Sequence, residues 1–102
     1  MSDLAFGPKQ PYEEYFVDFD FVNEIADDDH VETAEVTVLD EDGADVTDDI
    51  TDEAKQTTSG TKVSIWIMAG ETGKTYTLTC QIVTAVLAEK YESEADLDVL
   101  SG

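Results

Sequence analysis

From Tyr12 to Phe21 the chain reads YEEYFVDFDF, with Tyr15, Val17, Phe19 and Phe21 at every second position and Glu14, Asp18 and Asp20 between them. A spacing of two predicts a half-buried strand, and only Phe16 breaks it. Downstream, the same alternation predicts a strand over 30–39, with Ala34, Val36 and Val38 on one face and Glu35 and Thr37 on the other. Over 62–68, KVSIWIM is apolar on both faces toward its end, which suggests a central strand or one whose outer face meets a neighbour. Residues 74–83 place Tyr76, Leu78, Cys80 and Ile82 inward, and a last strand turns Tyr91, Ser93, Ala95, Leu97 and Val99 inward while Glu92, Glu94, Asp96 and Asp98 meet water. Between these, VNEIADDD reads either as a short helical turn or as a second strand fragment, and Asp27 to Asp29 close it as a loop. The acidic, irregular stretch around Val46, Ile50 and Ala54 reads as an edge strand.

Asp42-Gly43 is a turn signal, because both residues tolerate the left-handed backbone of tight turns. Gly70 to Gly73 are expected to form a tight hairpin joining strands 62–68 and 74–83. Residues 1–11, with Gly7, Pro8 and Pro11 and no core pattern, are expected as a flexible arm, followed by one domain over 12–100. Six or seven short strands with turn residues between them, and no amphipathic helix of three turns, predict an all-β chain. The expected fold is a small immunoglobulin-like antiparallel β-sandwich. Cys80 follows Trp66 by fourteen residues, loosely immunoglobulin patterning, but it is the only cysteine, so packing alone must hold the sheets together.

Charge changes this picture more than anything else in the composition. The 102 residues carry 25 acids against five lysines, a formal charge of -20, while 41% of the side chains are hydrophobic. That apolar content is enough for one core under an acidic coat, and the coat should repel nucleic acid and anionic membranes. Its self-repulsion is relieved by salt, which suggests adaptation to a salt-rich interior, with a cation-binding surface or a merely acidic mesophilic protein as the rival readings. No run is long and apolar enough for a membrane helix, and the start MSDLAFGPKQ lacks the features of a signal peptide, so a cytoplasmic origin is expected. Residues 54–88 hold one acid, Glu71, against three lysines, and a contact surface is expected there first.

Candidate chemistry is sparse. AGETGKT, residues 69–75, ends like a phosphate-binding loop, but the first glycine of that motif would stand at position 68, which is Met68, and a strand rather than a helix follows. Asp40, Asp42 and Asp45 alternate around Gly43 as calcium ligands can, but without the EF-hand spacing: the twelfth position of such a loop is Thr51. They are weak metal candidates against a solvated turn. His30 lies among acids and Cys80 on a buried face, so neither suits catalysis, and no catalytic residue or cofactor is expected.

Several segments together resemble a known family. They are Pro11-Tyr12 leading into Val17-Asp18-Phe19, Thr33-Ala34-Glu35-Val36-Thr37-Val38, Asp42-Gly43-Ala44-Asp45-Val46-Thr47, the stretch from Ser59 to Trp66, and the stretch from Gly70 to Cys80. In this the chain is similar to small immunoglobulin-like proteins of tailed phages and prophages, of the fiber-tail adaptor or head-tail region type. The resemblance implies a non-enzymatic virion component, an adaptor in the tail, neck or fiber attachment region. Its partners would be other virion structural proteins, with several copies around a ring or fiber base; it would be made in the host cytoplasm and reside in the virion. Together with the acid coat, it suggests a virus of a halophilic host. Where such proteins usually carry a D-G-R-type turn, this chain has Ala85-Val86-Leu87-Ala88-Glu89, an apolar tip expected to touch a neighbour. The interface candidates are Val86, Leu87, Lys62, Lys74, Pro8 and Pro11. Two other readings stay open: a capsid decoration or host-surface module using Trp66, and an acidic cation-binding domain.

Overall fold

The computed structural model of the chain describes residues 4–100. Seven strands occur in order: β1 (Leu4–Lys9), β2 (Tyr15–Asp20), β3 (Val31–Leu39), β4 (Thr57–Ser59), β5 (Lys62–Ile67), β6 (Thr75–Thr84) and β7 (Lys90–Val99). They build two sheets, one ordered β1-β7-β6-β3 and the other β2-β5-β4, which form a β-sandwich. The inward residues are those the alternation selects. Val38, Tyr76, Leu78, Cys80, Ile82, Ala95, Leu97 and Val99 of the first sheet share one buried cluster with Phe19, Val63, Ile65 and Ile67 of the second. Cys80 is a free thiol within that core. Burial pushes it up to about 12, so it is a small apolar filler there and not a nucleophile. β5 is the central strand of its sheet, the first of the two readings its apolar faces allow.

Four expectations are corrected. The sandwich is not wholly antiparallel: β1 runs parallel to β7, with Leu4 opposite Ala95 and Phe6 opposite Leu97. This pairing also changes the reading of residues 1–11. Residues 4–9 are a strand of the first sheet; Phe6 packs edge-on against Phe19 of the opposite sheet, ring centroids 5.1 Å apart, and Lys9 is fully buried. Residues 1–3 lie outside the described residues. Pro8 falls where the register shifts between Phe6 and Lys9, on the outer edge strand, where a missing N–H breaks no ladder.

The AGETGKT stretch is not a hairpin, because β5 and β6 belong to different sheets. It is an arch that carries the chain from one sheet to the other. Finally, the acidic stretch after the Asp42-Gly43 turn forms a short helical turn, α1 (Thr47–Ile50), and a 3-10 turn (Glu53–Lys55). Asp48 and Asp49 sit in the first turn of α1, where carboxylates favour the helix N-terminus. Ile50 is buried, and its carbonyl accepts from Met68 N–H at 2.7 Å, so this stretch closes the core beside β5 without becoming a strand.

Candidate functional site

The ten residues of β6 separate two ends of the molecule, roughly 30 Å apart at strand rise. At one end lies the arch. Three of its amides are already used: Glu71 N–H donates to the Tyr76 hydroxyl at 2.9 Å, Gly73 N–H to the Val99 carbonyl at 2.9 Å, and Lys74 N–H to the Glu71 carbonyl at 3.2 Å. A phosphate loop needs free, convergent amides ahead of a helix, whereas these three are bonded within the protein and the strand β6 follows. Gly70 has φ +95°, and a Cβ there would stand 2.8 Å from Val99 Cγ2, which makes glycine a steric requirement of the arch.

Lys9 closes the same end. Its ammonium donates to the carbonyls of Gln10 at 2.9 Å, Pro11 at 3.3 Å and Ala69 at 2.5 Å, tying the end of β1 to the arch. Burial lowers its pKa, and Glu13 and Glu14 nearby oppose that effect. Three carbonyl acceptors explain how a lysine can be buried at all. Lys74, beside the arch, forms a 3.2 Å ion pair with Glu71, which raises its pKa.

Asp40 Oδ1 accepts from the N–H groups of Asp42 and Ala44, both at 2.9 Å. Asp45 Oδ1 accepts from Thr47 N–H at 3.0 Å and Thr47 Oγ1 at 2.6 Å, bonds that hold its carboxyl below the usual range. Both carboxylates are turn-formers in this arrangement. Among the described residues, no three His, Cys, Asp or Glu side chains gather to hold a metal ion.

At the opposite end, the turn between β6 and β7 lifts Val86 and Leu87 into solvent, 63% and 56% exposed. This apolar knob is held from below by Asp29, which is only 6% exposed. Its Oδ1 accepts from Val86 N–H and His30 N–H, both at 2.8 Å, and its Oδ2 from Leu87 N–H at 3.1 Å. Burial would push the Asp29 carboxyl up; the bonds from Val86, His30, Leu87 and Thr84 outweigh it and bring it down to about 2. Thr84 Oγ1 accepts from Glu89 N–H at 2.9 Å and Ala85 N–H donates to the His30 carbonyl at 2.9 Å, completing the frame. Sequence reading identified the knob and missed Asp29, which looked like the third residue of a solvated acidic run.

Of the remaining interface candidates, Lys62 alone lies toward the knob's end, where Val31 N–H donates to the Gly60 carbonyl and Ala85 N–H to the His30 carbonyl; Lys74 and Pro11 belong to the arch end and Pro8 to β1. The three lysines of 54–88 lie apart, the third being Lys55. Its ammonium stands 4.0 Å from the centre of the Trp66 ring on the outer face of β5, and Phe16, 49% exposed, meets that ring edge-on at 5.0 Å. One face of Trp66 is thus occupied by a cation, which leaves it poorly placed as a stacking platform for a sugar.

No helix of the described residues is long and apolar enough to cross a membrane. No curated protein matches the chain. The family model described as "Podophage GP4 fiber-tail adaptor protein gp77" matches residues 9–94, which runs from Lys9 at the end of β1 through the first half of β7. This span includes the arch, the Asp29 frame and the knob. A frame that presents apolar side chains and uses its polar groups internally is the equipment of a structural part, and the chain belongs to the podophage fiber-tail adaptor family gp77, non-enzymatic structural components of tailed phage particles.

Proposed function

We propose that the chain is an adaptor in the tail, neck or fiber attachment region, present in several copies around a ring or fiber base and contacting its neighbours through the Val86–Leu87 knob. The family match over 9–94 carries this reading. Solvent-exposed valine and leucine on a surface otherwise crowded with carboxylates support the knob as the contact. A first strand running parallel to the last, within sheets ordered β1-β7-β6-β3 and β2-β5-β4, supports an immunoglobulin-like sandwich. The chain is made in the host cytoplasm, and the acidic coat fits a halophilic host. Quantitative mass spectrometry of purified particles, with gold-labelled antibody located by electron microscopy, tests the proposal. Several copies per particle at the tail or fiber base are expected; a chain absent from particles, or spread over the capsid, would overturn it.

A further inference from the structure

The knob is a convex feature of two side chains, and three observations bear on what it fits. Its shape is fixed before any contact, because Asp29 and Thr84 hold the backbone amides of Val86, Leu87 and Glu89. A preorganised protrusion loses little entropy on docking, but two aliphatic side chains bury far less area than a stable pair of copies needs against a flat surface. The occupant is therefore concave.

Next, one of the chain's own concavities, the one at the far end with apolar residues in its lining, can be weighed as the socket. It is a depression of about 310 Å³ with Val46, Ile50 and Tyr76 on its floor, and Asp40, Asp49 and Glu71 around it, the last paired with Lys74. Seating the knob there would bring these acids against Asp27, Asp28 and Glu89, exposed beside the knob with Lys90 the only lysine next to them in the chain. Like charges meeting at a docking rim disfavour that pairing. Third, knob and depression lie at opposite ends of β6, so an antiparallel pair of copies exchanging them, or a head-to-tail chain, would have to form against that repulsion at every contact.

We infer that the Val86–Leu87 knob docks into an apolar socket rimmed by lysine or arginine on a different protein of the particle. This rests on the adaptor reading above. The apolar pair fills the socket, and Asp27, Asp28 and Glu89 meet the basic rim.

Particles assembled with a photo-reactive benzoylphenylalanine in place of Val86 test it, with the same group in place of Thr77, on the outer face of β6, as control. The expected cross-links map to another virion protein, within a peptide carrying apolar residues flanked by lysine or arginine, at several times the control yield. Cross-links to a second copy of this chain, to a peptide without basic residues, or at the control level overturn the inference. A second measurement uses Val86→Ser with Leu87→Ser: its melting should match the parent, and its copy number per particle should fall at least several-fold. Unchanged incorporation overturns the inference too, as does knob-dependent self-association of the purified chain in molar potassium chloride. If the unsubstituted chain is itself absent from particles, the adaptor reading fails; if it is present and the knob cross-links elsewhere, only the socket fails.

Discussion

Replacing Gly70 with alanine tests the arch as a packed structural element. Two separate penalties apply. The left-handed backbone at φ +95° costs a residue with a Cβ about 1–2 kcal/mol. The new methyl would also stand 2.8 Å from Val99 Cγ2, inside any normal contact, and overpacking of this kind costs about 1–3 kcal/mol. Gly43 supplies the control: its φ is +84°, but nothing lies within 4 Å of a Cβ there, so Gly43→Ala carries the backbone penalty alone. Against a total stability of about 5–15 kcal/mol for a domain of this size, Gly70→Ala should remove a large share. Val99→Ala should cost about 1–3 kcal/mol by itself, since the side chain is buried. Combined, the two should cost less than their sum by about 1–3 kcal/mol, because trimming Val99 opens the space that the alanine needs. Urea unfolding followed by Trp66 fluorescence at constant salt gives all four corners of the cycle. An additive double variant, or a Gly70→Ala no worse than Gly43→Ala, would refute the reasoning.

Removing residues 1–9, or truncating Phe6 to alanine, should destabilise the purified chain, Phe6→Ala by about 2 kcal/mol for a partly buried ring packed on Phe19; unchanged melting would show that β1 contributes nothing. Asp29 should make the knob frame acid-sensitive. With its folded pKa lowered to about 2, its contribution is full above the unfolded value of about 3.9 and is lost as pH falls toward 2. Asp29→Asn should therefore lie below the parent in melting temperature near neutral pH and converge with it near pH 2, and a pH-independent gap would contradict this. Melting temperature should rise from low to molar potassium chloride as the repulsion among the 25 acids is screened, and a flat profile would remove the basis for salt adaptation. Cys80, buried and with its thiol held up to about 12, should react with thiol reagents only at the rate of global opening; fast labelling of the native chain would place it outside the core.

Period-two alternation carried most of the sandwich. Tyr76, Leu78, Cys80 and Ile82 of β6, and Ala95, Leu97 and Val99 of β7, are all buried as that pattern requires. The alternation reports which face is buried and says nothing of which strand lies alongside. For that reason AGETGKT reads as a hairpin in the sequence, although β5 and β6 pair with other strands. β1 was hidden because Gly7 and Pro8 interrupt it, leaving Leu4 and Phe6 as too short an alternation to read as a strand, while its pairing lies at the far end of the chain. The knob was legible because an apolar pair in a turn stands out against an acidic composition. Asp29 was not, since the amides it accepts from in the knob are 57 and 58 residues away. Helical turn α1 escaped because four residues are too few for a 3.6-residue period to show.

The parallel pairing of β1 with β7 has a consequence for how the chain acquires its structure. β1 meets β7, some ninety residues on, so the first sheet cannot be completed until β7 has been synthesised. Closing a loop of that length costs roughly 2 kcal/mol more in chain entropy than closing a ten-residue one, which makes β1 docking a late event. Until it happens, β7 is an open edge, the kind of strand that recruits other chains into aggregates. Glu92, Glu94, Asp96 and Asp98 alternate along that edge, so two incomplete molecules approaching there bring rows of like charge together. The carboxylates that clothe the finished adaptor also guard it during the interval when it is newly made and unfinished.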